Sequence, residues 1–160
     1  LFEYVSRRQH TPVVLLRLFY AVELRYGVIA DLARQIQAGT PIPLANGWFN
    51  CIWQGDANAM IIRGLDLAAS PPAVWNLCRP ELFSVREVAN KLGTFLDRAP
   101  EFTGAESQTA LLGNAAGLCR ILGEPPTPMD TIIRWVADWV RSGGRTLERP
   151  TPFEVGDGQY

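Results

Sequence analysis

The residues best suited to chemistry follow an almost unbroken apolar run, PVVLLRL, at positions 12–18. Such a run is typical of a strand buried on both faces of a parallel sheet. Open parallel sheets bind ligands at the carboxyl ends of their strands. The side chains of Tyr20, Glu23, Arg25 and Tyr26 are therefore expected to bind a polar small molecule. An equally weighted alternative is a local ion pair between Glu23 and Arg25 over packed aromatic rings.

The motifs that usually carry catalysis are missing from the sequence. No closely spaced glycines open a predicted helix, as a phosphate-binding loop requires. The sole lysine, Lys91, has Glu87 rather than a tyrosine four residues before it. A metal site with two histidines, or a Ser-His-Asp arrangement, would have to use the single histidine, His10, which precedes a Thr-Pro turn. We therefore predict neither a catalytic residue nor a metal site in this chain.

Composition narrows the choice of partner and compartment. Lys and Arg number 15 against 16 Asp and Glu, so no strong field would attract nucleic acid or an anionic membrane. No apolar run approaches the roughly 20 residues that span a bilayer. Cys51, Cys78 and Cys119 are widely spaced in apolar stretches, which indicates reduced core thiols in a cytoplasmic protein. A small-molecule ligand is the expected partner, and a homodimer is also compatible with the sequence.

Predicted helices and strands alternate along the chain. Helices are expected over 1–9, 26–38, 56–69, 85–96, 109–122 and 130–142, and strands over 12–18, 48–53 and 73–77. Asp56 is expected to cap the third helix, and Ser84 and Glu87 to form a capping box. The order predicts an α/β fold with a mostly parallel sheet, in which residues 1–160 form one unit and 143–160 an extended tail.

The predicted sheet is too small to be complete. A parallel sheet of two or three strands leaves a row of unpaired backbone groups at its outer edge. The chain also starts without an initiator methionine, in what reads as the middle of a helix. We therefore expect further strands to come from a preceding segment.

Several segments in this order together resemble the NAD-dependent epimerase/dehydratase family, the extended short-chain dehydrogenase/reductases. They are RLFYAVELRYGV (17–28), NCIWQGDANAMIIRGL (50–65), WNLCRPELFSVREVANKLG (75–93), ALLGNAAGLCRILGEP (110–125) and IIRWVADWVRSGGRTLERPTPFE (132–154). They cover most of the chain, and it is their order and spacing that carry the resemblance.

The resemblance implies the C-terminal part of a Rossmann-like protein, with flanking helices and a substrate-binding lobe. It implies that a missing N-terminal half supplies the Gly-rich loop, the catalytic Ser or Thr and the Tyr-x-x-x-Lys pair. The complete protein would use NAD or NADP, and this chain alone would be inactive. Leu18 and Phe19 match the place where the family meets the nicotinamide. The turn at Trp53 and Gln54, like the loop after Phe19, matches substrate-facing positions.

The sequence also departs from the family's pattern. Members that bind nucleotide-diphosphate sugars have an Asn near Phe19, an Arg near Phe49 and another near positions 101–106, where this chain has apolar, neutral or acidic residues. Bidentate recognition of a diphosphate is therefore unsupported. The pair Cys78-Arg79 replaces a small turn that the family would have there, without a functional reason visible in the sequence.

These observations favour an oxidoreductase, epimerase or dehydratase whose substrate is small and polar, with sugar-like groups. A second hypothesis is a non-enzymatic sensor or protein-interaction module on the same scaffold. An intact Gly-rich loop and Tyr-x-x-x-Lys pair upstream would favour the enzyme, whereas their loss would favour the sensor.

Overall fold

The computed structural model describes residues 1–107, 109–149 and 151, and its helices and strands alternate along the chain. The helices in this part of the chain are α1 (Phe2–Gln9), α2 (Val28–Ala38), α3 (Gln54–Gly64), α4 (Val85–Leu96), α5 (Ala116–Leu122) and α6 (Met129–Arg141). The strands are β1 (Val14–Leu18), β2 (Tyr20–Val22), β3 (Ile42–Pro43), β4 (Trp48–Phe49), β5 (Cys51–Trp53), β6 (Ala73–Leu77), β7 (Phe83–Ser84) and β8 (Phe102–Thr103). The alternation confirms the predicted α/β class.

Most strand pairs are parallel, as predicted. β1 pairs with β6, β2 with β5 and β3 with β8 in parallel, whereas β4 and β7 are antiparallel. Leu18 lies opposite Leu77, so the carboxyl ends of β1 and β6 meet. The Phe19 N–H donates to the Leu77 carbonyl (3.1 Å) and the Arg79 N–H to the Cys51 carbonyl (3.2 Å). The first bond extends the β1–β6 pair, and the second joins the end of β6 to β5 and so to the β2–β5 pair.

Two apolar cores lie on opposite faces of these strands. The larger core lies among α2, α4 and α6, and the smaller one packs α3 and α5 against β5 and β6. Cys51 belongs to the larger core and its neighbour Ile52 to the smaller. Successive side chains of a strand point to opposite faces, so one short strand contributes to both cores.

The last helix, α6, has the amphipathic pattern that the sequence predicts. Ile132, Ile133, Val136 and Val140 are buried against α2 and α4, and Trp139 is half-buried. Among the described residues, no helix combines the length and apolar character needed to cross a membrane.

Two helix ends have residues well suited to capping, and one of them, Ser84, was predicted from the sequence. Gly39 ends α2 with a φ of 71°, a left-handed conformation that glycine adopts without strain. The Ser84 hydroxyl accepts a hydrogen bond from the Glu87 N–H at 3.3 Å, which is the first half of the predicted capping box.

The predicted capping role of Asp56 is wrong. α3 begins two residues earlier, at Gln54, so Asp56 lies in its first turn, where a negative charge suits the helix dipole. The Asp56 carboxylate instead accepts hydrogen bonds from the Thr127 N–H (3.0 Å) and Thr127 hydroxyl (2.9 Å). The helix also ends earlier than predicted, at Gly64, and a 3₁₀ turn (Leu65–Leu67) follows it.

The predicted helix over 109–122 is wrong in its first half, because α5 begins only at Ala116. The amide and carbonyl of Gly113 both hydrogen bond to the Asn50 side chain, so neither group is available to a helix. Asn50 likewise interrupts the strand predicted over 48–53, which forms β4 and β5 on either side of it.

Four short strands, β2, β3, β7 and β8, were not predicted from the sequence. β3 and β8 pair in parallel although Pro41 and Pro43 flank Ile42. The Ile42 N–H donates to the Glu101 carbonyl (2.8 Å) and the Leu44 N–H to the Thr103 carbonyl (2.9 Å). Because these donors alternate with the prolines, the prolines cost the ladder no hydrogen bond.

The predicted tail over 143–160 is described as far as Arg149 and at Thr151, and positions 150 and 152–160 lie outside the described residues. Within it, the Leu147 N–H donates to the Arg25 carbonyl at 3.2 Å. This segment therefore contacts the loop that follows β2.

Truncating α6 in the core tests the packing of its apolar stripe. Ile132→Ala removes a fully buried side chain and leaves a cavity, so we expect the free energy of unfolding to fall by about 2–5 kcal/mol. The matched control Ile62→Ala alters a side chain that is 67% exposed on α3 and should change stability by less than about 0.5 kcal/mol. Urea unfolding followed by circular dichroism measures both, and equal effects would contradict the packing.

Candidate functional site

An open cavity of about 570 Å³ lies at the carboxyl end of β1. Its wall combines the end of β1, β2, the loop before α2 and the start of α3, with contributions from Leu111 and Thr151. This is the edge where ligands bind in parallel sheets. The cavity is therefore the candidate site.

Most of the residues predicted from the sequence lie in the wall of this cavity. They are Leu18, Phe19, Tyr20, Tyr26 and Gln54. Leu18 is 46% exposed, so it offers apolar surface at the open end of β1. The proposed binding roles of these residues stay predictions, but the structure brings the residues together in one place.

Glu23 and Arg25 lie outside the wall of the cavity and form an ion pair. The Arg25 Nε lies 3.0 Å from one Glu23 carboxylate oxygen and 3.1 Å from the other. The Arg25 side chain is 49% exposed and that of Glu23 is 19% exposed. The local ion pair, which was the alternative interpretation of this segment, is thus present, and substrate binding by either residue is a prediction without support from the cavity.

Trp53 also points away from the main cavity. Its ring packs against Trp135 of α6, with ring centroids 5.3 Å apart. Together with Leu24 and Trp139 it lines a separate, shallower groove. Its neighbour Gln54 reaches the cavity while its amide donates to the Asn58 side chain at 3.1 Å. Trp53 and Gln54, which were predicted together, therefore lie on two different surfaces.

A buried asparagine that the sequence analysis did not select holds one wall of the cavity. Asn50 is fully buried, and its amide donates to the carbonyls of Gly113 (2.6 Å) and Arg79 (3.2 Å). Its side-chain oxygen accepts from the Gly113 N–H at 3.1 Å. These hydrogen bonds hold three segments together: the break between β4 and β5, the turn after β6, and the segment that carries Leu111. A lone polar residue inside WFNCIW was the sequence signal.

Gly113 brings this wall close to the sheet. A Cβ at this position would lie 2.6 Å from Phe19 Cδ2 and 2.8 Å from Cys78 Sγ, closer than real side chains approach. Glycine is therefore required for the segment to pack directly on Phe19. Leu111, two residues earlier, is thereby placed over the cavity.

Cys78-Arg79, the turn without a functional account in the sequence, has a structural one. The Arg79 side chain is 7% exposed and donates to the carbonyls of Pro125 (2.9 Å) and Thr127 (2.6 Å). It also pairs with Glu81, whose carboxylate is 2.5 Å from Nε. Since Asp56 binds the same Thr127, two charged side chains of opposite sign hold the proline-rich connection between α5 and α6.

The thiols near the site are not activated for nucleophilic attack. Burial, with a smaller contribution from Cys119, raises the pKa of Cys78 to about 11, although the Asn50 hydrogen bond opposes the shift. Burial also raises the pKa of Cys51 well above its usual range. A thiol with a raised pKa stays protonated near neutral pH and is a poor nucleophile. All three cysteines are free thiols.

The described residues offer neither a metal site nor a diphosphate clamp. No group of three or more His, Cys, Asp or Glu residues among them could hold a metal ion. Phe49, where nucleotide-sugar enzymes would have an arginine, is fully buried in the core. Glu106 is already paired with Arg86, with Nε and a carboxylate oxygen 3.0 Å apart. These two positions therefore have structural roles in the described part of the chain.

Solved structures of similar fold are enzymes that bind nicotinamide cofactors. RMD from Pseudomonas aeruginosa, complexed with NADPH, matches with a TM-score of 0.68 and 18% identity over 88% of this chain and 51% of its own. The UDP-glucose 4-epimerase of Thermus thermophilus, in complex with NAD, matches with a TM-score of 0.67 and 18% identity over 88% of this chain and 50% of its own.

A dehydratase matches equally well. The dTDP-glucose 4,6-dehydratase of Bacillus anthracis str. Ames, in complex with NAD, has a TM-score of 0.68 and 15% identity over 88% of this chain and 48% of its own. The chain has the fold of these epimerases and dehydratases. No protein-family model matches the sequence, and no curated protein matches it.

The epimerase/dehydratase fold is present only in part. The chain spans about half the length of the solved structures that it matches. This agrees with the resemblance predicted from the sequence, which covers one half of such a protein. Within the described residues, β1 pairs with β6 alone, so its other edge has no strand partner.

Removing the Asn50 side chain tests its role in holding the Leu111 wall. Asn50→Ala leaves the buried amide and carbonyl of Gly113 without partners, so we expect a loss of about 2–4 kcal/mol in the free energy of unfolding. Amide hydrogen exchange at Gly113 should also accelerate. Asn58→Ala, at an exposed position, should change neither quantity, and an unaltered Gly113 exchange rate in Asn50→Ala would refute the assignment.

Proposed function

We propose that this chain is the substrate-binding portion of an NAD(P)-dependent epimerase, dehydratase or related oxidoreductase. The observation that carries the proposal is the cavity at the carboxyl end of β1, where Leu18, Phe19, Tyr20, Tyr26 and Gln54 come together. The shared fold supports it, because the matching enzymes bind NAD or NADPH. We also propose that the chain belongs to the NAD-dependent epimerase/dehydratase family.

The exposed end of β1 fits the nicotinamide end of the cofactor. Leu18 presents apolar surface there, and the backbone N–H of Phe19 is already bonded to Leu77, so the strand end is rigid. An apolar surface suits the flat face of an aromatic ring. When bound, the nicotinamide would accept or return a hydride. The chain's own groups for the pyrophosphate are lacking, because no glycine-rich loop occurs in the sequence.

The substrate in this proposal is a small molecule with sugar-like hydroxyl or carbonyl groups and without a diphosphate. Tyr20, Tyr26 and Gln54 supply polar groups around the cavity, and the aromatic rings suit the apolar face of a ring-shaped substrate. The chain would bind and orient that substrate beside the nicotinamide. Its catalytic acid and base would come from a segment outside these 160 residues.

Cofactor binding tests this function. The 160-residue chain and a longer protein that includes the residues encoded before Leu1 would each be titrated with NADH and NADPH, with tryptophan-to-nicotinamide energy transfer as the readout. We expect saturable binding by the longer protein and none by the shorter chain. Saturable binding or turnover by the 160 residues alone would contradict the proposal.

A pair of leucine variants makes the test specific to the proposed nicotinamide surface. In the longer protein, Leu18→Glu places a carboxylate against the ring and should weaken NADH binding about tenfold or more. Leu82→Glu alters a leucine of similar exposure, 52% against 46%, outside the cavity wall and should leave binding unchanged. A longer protein that lacks the Gly-rich loop and Tyr-x-x-x-Lys pair and binds no cofactor would instead favour the non-enzymatic module.

A further inference from the structure

The cavity wall contains a buried hydroxyl group without a partner. Thr151 lines the cavity and is only 6% exposed. Its Oγ1 is buried, and none of the described residues hydrogen bonds to it. Buried hydroxyl groups are almost always hydrogen bonded, because an unpaired one loses its contact with water and gains nothing in return. This group therefore needs an explanation.

Thr151 is held in place by its backbone rather than by its side chain. Its N–H donates to the Asp31 carboxylate at 2.8 Å, and Asp31 is itself buried and paired with Arg34. The backbone of Thr151 is therefore anchored, whereas its hydroxyl is left to a partner outside the described residues.

The residues before Thr151 tie the same segment to the domain. We call residues 145–149 and 151 the strap. The Arg145 carbonyl accepts a hydrogen bond from the Trp139 indole N–H (3.1 Å), and the Leu147 N–H donates to the Arg25 carbonyl (3.2 Å). The strap thus runs from the end of α6, along the loop after β2, to the cavity. Its position is set before any ligand binds.

The remaining wall limits the chemistry of a ligand. Leu18, Phe19, Ala21 and Leu111 are apolar, and Arg17 is the only charged residue among the described residues that line the cavity. Arg17 is exposed on β1. An apolar wall with a few polar groups selects an uncharged ligand whose body is apolar and whose oxygen atoms are few. The polar groups of Tyr20, Tyr26 and Gln54 are uncharged, so a diphosphate would find Arg17 as its one cationic partner among the described lining residues.

We propose that Thr151 is a ligand-binding residue and that its hydroxyl hydrogen bonds to the oxygen of a small alcohol or ketone with an apolar body. The body lies against Phe19 and Leu111, and a rotation of the Thr151 side chain turns Oγ1, which is buried in the free protein, toward the ligand's oxygen. This inference rests on the proposed function, since it names the ligand class of the same cavity. It also restricts the sugar-like substrate predicted from the sequence to compounds with more apolar surface.

Isosteric substitution tests the proposal directly on the 160-residue chain. Benzylacetone, a ketone with an aromatic body, would be titrated into the ¹⁵N-labelled protein without any cofactor, and its Kd taken from amide shifts around Phe19 and Leu111. Thr151→Val removes only the hydroxyl, and we expect the Kd to rise about tenfold. Thr151→Ser keeps the hydroxyl and should bind within about twofold of the natural chain. Thr103→Val, at an exposed strand position, is the matched control and should not change the Kd.

Thermal unfolding separates a ligand-binding hydroxyl from a structural one. If Oγ1 has no partner in the free protein, Thr151→Val should unfold at the same temperature as the natural chain or higher. A lowered Tm for Thr151→Val, an unchanged Kd for it, or no saturable binding of benzylacetone to the natural chain would each overturn the proposal. Preferential binding of UDP-glucose over benzylacetone would also overturn it.

This experiment is independent of the cofactor test. A failure to bind NADH in the longer protein would count against the enzymatic function and leave the Thr151 result intact. Conversely, an unchanged Kd for Thr151→Val would remove this residue from the site without touching the cofactor proposal.

Discussion

The architecture of the site depends on the buried carboxamide of Asn50. It interrupts a strand that would otherwise run from β4 into β5, and it takes both backbone groups of Gly113, which leaves the preceding residues outside α5. A buried amide that is fully hydrogen bonded is worth more than its separate contacts, because each lost bond exposes another unpaired group. The Leu111 wall of the cavity, the turn at Arg79 and the end of β1 at Phe19 are therefore fixed to one another.

The contacts of Asn50 and Gly113 explain how the wall of the cavity is held in place. The carboxyl ends of β1 and β6 meet because parallel strands bring corresponding ends together, and the strap adds Thr151 from the far end of the described chain. Buried charges hold the surrounding connections: Asp31 anchors the strap, and Asp56 and Arg79 hold the proline-rich loop. Each buried charge has hydrogen-bonding partners, which keeps the cost of its burial low.

The sequence predicted what depends on local pattern and missed what depends on long-range pairing. The apolar run of β1 and the stripe of α6 were recognisable because burial repeats with the period of the element. The non-helical segment before α5 was not recognisable, because Gly113 is held by Asn50, which lies 63 residues away in the sequence. Likewise Asp56 has the side chain of a helix cap, but its tertiary partner Thr127 is invisible in a local window. The sheet-edge rule, which is topological, led to Tyr20 and Tyr26, which lie in the cavity wall, and to Glu23 and Arg25, which do not. The binding roles of these residues stay predictions.

A crystal structure of the longer protein with NADH would test most directly whether this cavity binds the substrate of a nicotinamide-dependent enzyme. We expect a further strand to pair with the open edge of β1 and the nicotinamide ring to lie against Leu18 and Phe19. Its reactive face would then border the cavity beneath Leu111 and Thr151. A cofactor bound elsewhere, or a β1 edge left unpaired with the nicotinamide absent from Leu18, would contradict the account.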